Sequence, residues 1–419
     1  MKKIAVLIVL MVMFLFATVT DSKPATMDNQ FWDVQSIDTM KYSRDLSREK
    51  LQDPTFDAVI DQQMKHIAET GATHVAIATP YDEEFLPILK RWVAAARTYN
   101  LNVWYRGNWS GWERWFGYPS ITRDEHAEKT HAFIIENPGL FIDGDIFTAC
   151  PECENGGPGD PRLTADVFGH RQFLINEYEL TKQAFEEIDV RVISNYISMN
   201  GDVARLVMDR ETTQALDDIV VIDHYVSAPE QLVADIQEIA EKSGGHVVLG
   251  EFGAPIGDIH GSMTEEQQAA WLNETLERLA REDKVVGLNY WVNVGGSTQL
   301  WNEAGEPSKA VSVLGLYFEP RGMSGIIKDE VGNPIAQATI SNNYGKATTN
   351  SRGEFSLLYV DTRAITTVDV EGYALKHIDY NTASVLVTMS PENPTFWYTF
   401  LRKINFAHRP SSDDKKLPF

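Results

Sequence analysis

Glu251 closes the apolar run His246-Val-Val-Leu-Gly-Glu-Phe-Gly253, and two further acids stand close together in Cys150-Pro-Glu-Cys-Glu154. A carboxylate at the end of an apolar run is well placed for chemistry, because a rigid element aims it and burial tunes its ionisation. Two such carboxylates can hydrolyse a glycosidic bond with retention. One attacks the anomeric carbon, and the other, about 5–5.5 Å away, protonates the leaving oxygen. Glu251 can supply one member of such a pair, and Glu152 or Glu154 the other. Asp38 and Asp223 also follow apolar runs. No His-Glu-x-x-His spacing and no Gly-x-Ser-x-Gly elbow occurs, so metal-assisted and serine-based hydrolysis lack their residues, and no metal or cofactor is expected.

A second concentration of useful residues is Trp104-Tyr-Arg-Gly-Asn-Trp-Ser-Gly-Trp-Glu-Arg-Trp-Phe116. Flat rings such as Trp109 and Trp112 can stack on the apolar faces of sugars, and roughly half of these rings are expected to touch ligand, the others packing a rim. Arg106 and Asn108 are candidates for binding hydroxyls or for holding a catalytic carboxylate ionised.

Elements able to position these groups follow from the periodicity. Eight short apolar runs read as strands, near Asp33–Ile37, His74–Ala78, Asn102–Tyr105, Asp145–Ala149, Arg191–Asn195, Ile219–Asp223, His246–Gly250 and Val286–Tyr290. Helical spacing separates them, as in Phe56-Val59-Ile60-Met64-Ile67 and Phe85-Ile88-Leu89-Trp92-Val93-Ala96, and again in 173–185, 232–239 and 271–279. The fifth helix, around Val203–Met208, reads as short or broken. Eight strand-helix repeats predict an α/β fold, a (β/α)₈ TIM barrel, whose active site lies where the strands end. From about Gly322 the texture changes to short alternating runs with turns, the grammar of a smaller all-β sandwich.

On these residues, positions 31 to 320 resemble the clan A glycoside hydrolases, the cellulase- and mannanase-like barrels. That resemblance implies an acid/base Glu after strand four and a nucleophile Glu after strand seven, which correspond to Glu152 and Glu251. Gly250-Glu-Phe-Gly253 matches the pattern around the nucleophile, whereas Pro151 stands where the family has Asn before the acid/base. Glu154 stays open as the alternative. The family often carries a His or Tyr near the nucleophile, which points to His224 and Tyr225, with Tyr225 as the hydrogen-bond donor to Glu251. Trp291, in Asn289-Tyr-Trp-Val-Asn293, matches a sugar platform, and Asn293 is a further binding candidate. The later stretch, with Gly325-Ile-Ile, Asp329-Glu-Val-Gly-Asn-Pro-Ile335, Gly353-Glu-Phe and Val370-Glu-Gly-Tyr373, resembles the carboxypeptidase regulatory-like domain, an accessory sandwich with no chemistry of its own.

Composition and the chain ends set the context. With 37 Lys and Arg against 60 Asp and Glu, the net charge of −23 opposes nucleic acid and anionic lipid surfaces. Lys2 and Lys3 precede an apolar run from Ile4 to Val19, then Thr20-Asp-Ser-Lys23, which reads as a signal peptide or as an uncleaved N-terminal anchor. The protein is therefore expected to be secreted or at the cell surface, with any membrane tether confined to that segment. The expected divisions are 1–25 for this segment, 26–320 for the barrel, 321–403 for the sandwich and 404–419 for a tail. The chain has only two cysteines, Cys150 and Cys153, which read as a local disulfide or a packed thiol pair rather than a redox motif. The expected partner is a poly- or oligosaccharide, cleaved by a retaining hydrolase. The competing readings are a non-catalytic carbohydrate-binding barrel and a surface adhesion protein.

Overall fold

The computed structural model of the protein describes residues 30–361, 365–378 and 384–393. The segment read as a signal or anchor and the C-terminal tail lie outside the described residues. Among those described, no helix is long and apolar enough to cross a membrane.

Eight parallel strands form one curled sheet: β1 Val34–Asp38, β2 His74–Ile77, β3 Asn102–Tyr105, β4 Ile146–Phe147, β5 Ser198–Asn200, β6 Ile219–Asp223, β7 His246–Phe252 and β8 Val285–Tyr290. Their order is β4-β3-β2-β1-β8-β7-β6-β5. The two ends of the sheet meet through Ile193. Its N–H donates to Asp145 O at 2.9 Å, and its carbonyl accepts from Phe147 N at 2.8 Å, which closes the ring.

The fifth strand departs from expectation. Its upstream part, 191–195, touches β4 only through this bridge and its neighbours, and the ladder with β6 forms at Ser198–Asn200. Between the two, Asn195 donates from Nδ2 to Leu216 O, so the strand is split and carries a polar tie where a continuous ladder was expected. β4 spans two residues where five were expected, and just before it the Asp145 side chain accepts from the N–H groups of Val103 and Ile142 and pairs with Arg97.

Helices wrap the sheet: α1 Phe56–Ala68, α2 Leu86–Thr98, α3 Arg123–Glu136, α4 Val167–Glu187, α5 Gly201–Val207, α6 Pro229–Ser243, α7 Glu265–Leu279 and α8 Lys309–Phe318. α1 buries Phe56, Ile60, Met64 and Ile67, the stripe its spacing predicts. α5 has seven residues and is followed by a separate short helix, 210–215, so the expected break is present. α3 has no matching pattern in the sequence because its inner face carries His126 and Thr130 among the apolar residues. A capping box, Thr122 with Glu125, starts it.

Three residues after α8 the chain enters β9, Arg321–Asp329, and continues through β10 Thr339–Asn342, β11 Gly345–Thr348, β12 Glu354–Tyr359, β13 Thr366–Asp369, β14 Lys376–Ile378 and β15 Ser384–Met389. These make a four-stranded antiparallel sheet, β11-β10-β13-β14, and a three-stranded one, β12-β9-β15, in which β15 runs parallel to β9. Tyr344 of this part stands 6.2 Å from Tyr317 of α8 and 6.3 Å from Phe31, ring centre to ring centre.

Candidate active site

Alternation along the strands decides what enters the barrel. Val34, Ala76, Trp104, Ile146, Val221 and Val248 form an apolar cluster separate from the main core, the plug of the barrel interior. Towards the C-terminal ends the same parity brings in Arg106, Asp223 and Gly250, two residues past Trp104, Val221 and Val248, and Asp38, four past Val34, and Asn289 joins them from β8. An apolar layer thus supports a polar one, and the polar one is the floor of the site.

Arg106 is the centre of that floor. Its guanidinium lies 2.9 Å from Asp223, 3.2 Å from Glu251 and 3.6 Å from Asp38, and it donates to Ser198 Oγ at 3.2 Å and to Gly250 O. Burial works against its charge, but Asp223, Glu251 and Asp38 outweigh that and raise its pKa. At 1% exposure Arg106 does not reach a substrate, so its expected role as a hydroxyl binder gives way to holding carboxylates. Asn289 donates to Asp38 at 3.1 Å and to Gly250 O at 2.8 Å.

Glycine is required at 250, where a Cβ would stand 2.3 Å from Asp223 Oδ1 and 3.0 Å from Ser198 Cβ. Gly250→Ala is therefore expected to destabilise the fold by about 1–3 kcal/mol, read as a lower denaturant midpoint. An unchanged midpoint would show that the Asp223–Ser198 pair can shift freely.

Glu251 reaches the mouth through an irregularity. The β6–β7 register shifts between Ile222 and Asp223, so that Asp223 pairs with Glu251 rather than with Gly250. The phenol of Tyr225 donates to Glu251 Oε2 at 2.8 Å, and the guanidinium of Arg106 lies against Oε1. Burial and the charge of Glu251 keep the Tyr225 proton in place well above its ordinary range. Trp291, half-buried, meets the Tyr225 ring edge-on at 6.1 Å, with the Lys41 ammonium 5.8 Å from its face. The structure thus brings Glu251, Tyr225, Trp291 and Arg106 together.

Two candidates nearby point elsewhere. His224 bonds through Nε2 to Asp235 of α6 at 2.8 Å, and Asp235 also pairs with Arg205, which makes His224 a packed histidine outside the site. Asn293 is fully buried and donates to Gln63 of α1 at 2.7 Å, so its side chain is turned to the helix layer and not to the site.

The loop after β4 carries the second acid. Cys150 and Cys153 are joined as a disulfide, and between them Glu152 sits at φ +43°, in the left-handed region that non-glycine residues avoid. Its backbone N–H donates to Ser198 O at 2.8 Å, which fastens the loop to β5. The Glu152 carboxylate is half-buried and accepts from Asn155 Nδ2 at 3.0 Å. Glu154 is 3% exposed, accepts from Asn200 N at 2.7 Å through Oε1, and leaves Oε2 buried without a partner. It is neither a solvated loop carboxylate nor placed as Glu152 is.

The aromatic run after β3 is mostly core. Trp104, Trp109 and Trp112 are buried. The Trp109 indole donates to Thr130 at 2.9 Å, and Trp112 donates to Cys153 O at 3.1 Å while stacking on Phe173 at 4.9 Å. Neither is a sugar platform: α3 and α4 fold over them, and Thr130 of α3 and the Cys153 carbonyl of the loop after β4 take their N–H groups. Trp115 is half-buried beneath the Arg44 guanidinium at 4.7 Å. Asn108 is fully buried too; its Oδ1 accepts from Trp109 N and His126 Nε2, and its Nδ2 donates to Glu113 at 2.9 Å. Since that Oδ1 can only accept, His126 Nε2 carries a proton, and Nδ1 faces Glu177 at 2.8 Å.

This buried chain, Glu177–His126–Asn108, ends on Glu113, a residue that sequence reasoning did not single out. The available signal was an acid among aromatics directly after a strand.

Crowding sets the ionisation. Burial first, then Glu251 and Glu154, lift Glu152 to about 8; burial and Asp223, opposed by Arg106, lift Glu251 to about 8. Burial also raises Glu113, Glu154 and Asp223 to about 7 and Asp38 above its usual range. Glu152 and Glu251 therefore do not both ionise near neutrality, and the pair retains a proton. Donors decide where it resides. Glu251 receives a phenol and a guanidinium, Glu152 a single amide, so the charge rests on Glu251 and the proton on Glu152. Among the described residues, no group of three or more His, Cys, Asp or Glu is arranged to hold a metal ion.

No protein-family model matches the chain, and no curated protein matches it in sequence. Among solved structures it is similar to a GH5_18 protein from Bifidobacterium longum in complex with Manβ1-4GlcNAc, at 15% identity over 72% of this chain and 84% of that one, with a TM-score of 0.50. It is also similar to β-glucuronidase 2 of Bacteroides uniformis, at 12% identity and a TM-score of 0.44, and spans 44% of that longer chain. At 15% identity the first of these likenesses bears on the barrel fold alone.

Proposed function

We propose that this chain is an exported retaining glycosidase that cleaves an oligo- or polysaccharide by double displacement. One observation carries the reading: at the mouth of the barrel Glu251 is held by a phenol and a guanidinium, and the charge of Glu251 reaches a second carboxyl, Glu152, that keeps its proton. Tyr225 and Arg106 orient the Glu251 carboxylate and keep it ionised for attack on the anomeric carbon, while Glu152 delivers its proton to the leaving oxygen. The sugar is then esterified to Glu251. Glu152, now ionised, takes a proton from water, which attacks the same carbon and frees Glu251.

Trp291, beside Tyr225, supplies a flat wall for the sugar bound to the nucleophile. The N-terminal Lys2-Lys3 and apolar run support export, and the C-terminal sheets serve as an accessory module. The stereochemistry tests the mechanism. Proton NMR during hydrolysis of a β-glycoside is expected to show the β-anomer first, with the α-anomer growing in only by mutarotation; α-anomer appearing first would remove the double displacement.

A further inference from the structure

We propose that the sugar recognised here is cationic, a glycoside carrying a protonated amine, and that Glu113 and Glu154 receive its ammonium. The proposal rests on the glycosidase reading for the word sugar, and on the charge inventory of the site for the word cationic.

Asp38, Asp223, Glu251, Glu152, Glu154 and Glu113 interact electrostatically around one mouth. Arg106 is the one cation of the described residues buried among them, and it is already engaged by Asp38, Asp223 and Glu251. The cations at the edge are paired as well, Arg44 and Lys41 with Asp45 and Arg162 with Asp160, although Arg44 and Arg162 also offset part of the crowding at Glu113 and Glu154 from a distance. Glu113, Glu152 and Glu154 have no ion-pair partner among the described residues.

An excess of acids alone would specify nothing. What points to a ligand is the state of two of these side chains. Glu154 is 3% exposed, yet Oε2 has no hydrogen-bond partner, and its charge reaches both Glu113 and Glu152. A buried carboxylate oxygen without a donor is costly, and a ligand N–H removes that cost. Glu113 is held from behind, with one oxygen fixed by Asn108, itself fixed by His126 and Glu177, and the other oxygen has no hydrogen bond within the described residues. Three buried residues are thus used to aim one carboxylate, the support a binding group needs. An ammonium offers three donors and a full charge, so it satisfies the free oxygens and offsets the crowding together. A hydroxyl supplies one donor and leaves the charge.

The test uses the full chain carrying Glu251→Gln, so that binding is read without turnover, and titrates it calorimetrically with chitosan hexamer, N-acetylated chitin hexamer and cellohexaose. At low salt the free-amine hexamer is expected to bind at least about tenfold more tightly than either neutral one, and to lose that margin as ionic strength rises. Adding Glu113→Gln and Glu154→Gln is expected to shrink the margin to within about threefold. Should the buried Glu154 variant fail to fold, Glu113→Gln alone, with the salt dependence, reads the same effect. Equal affinities, tighter binding of a neutral hexamer, or no binding of any of the three overturns the proposal. The two readings fail separately: a wild type that cleaves neutral oligosaccharides without preference for amines keeps the glycosidase and loses the amine, whereas amine-dependent binding with no cleavage of any substrate keeps the amine and loses the glycosidase.

Discussion

Glu251→Gln is expected to lower hydrolysis by at least about 10⁴-fold while sugar binding survives. The amide cannot attack the anomeric carbon, yet it has nearly the shape of the carboxylate and retains an oxygen able to accept from Tyr225. The fold should tolerate the change, because Arg106 keeps Asp223 at 2.9 Å and Asp38 at 3.6 Å. Loss of activity with an unchanged melting temperature is thus the expected combination. Glu251→Ala sharpens it: with the carboxylate gone, added azide should restore turnover on an activated aryl β-glycoside and yield the α-glycosyl azide, because the external nucleophile enters from the face Glu251 vacated. Activity of Glu251→Gln within about tenfold of wild type would remove Glu251 from the chemistry.

Glu251 stood out on its position at the end of an apolar strand and on the resemblance of Gly250-Glu-Phe-Gly253, with Tyr225 two residues past β6, to the clan A pattern, and the structure places Tyr225 against it. Period-two alternation likewise makes Asp38, Arg106 and Asp223 readable as inward-facing once their strands are placed. The aromatic run misled for a physical reason. Trp109 and Trp112 follow a strand and look like loop surface, but the elements that cover them, α3 and α4, carry polar residues on their inner faces, namely His126, Thr130 and Glu177. A hydrophobic pattern cannot reveal such a face, so α3 escaped notice, and with it the burial of the indoles and the buried chain that ends on Glu113. His224 and Asn293 were misplaced for a related reason. Both neighbour residues of the site in sequence, but their partners, Asp235 and Gln63, lie on helices outside the barrel, and a partner remote in the chain leaves no local trace. The split fifth strand belongs with these, since Asn195 is tied to Leu216 across 21 positions.

The remaining choice, Glu152 or Glu154, separates by leaving group. An acid catalyst matters in proportion to how badly the departing oxygen needs a proton. Glu152→Gln is therefore expected to lose about 10²–10⁴-fold on an alkyl or sugar leaving group and little on a dinitrophenyl one. The pH profile carries the same information. Glu152 is raised to about 8 by burial and by Glu251, so the wild-type chain holds that proton below this pH and loses it as the pH rises through it. The basic limb of kcat/KM is thus expected near 8, and it should vanish in Glu152→Gln, which has no proton to lose. Glu154→Gln keeps an oxygen able to accept from Asn200 N, and its effect should fall on substrate affinity, with the leaving-group trend and the basic limb intact. If the trend and the limb respond to Glu154→Gln instead, the proton donor is the buried carboxyl, and the left-handed backbone at Glu152 serves to turn the chain so that Glu154 is presented to the leaving oxygen.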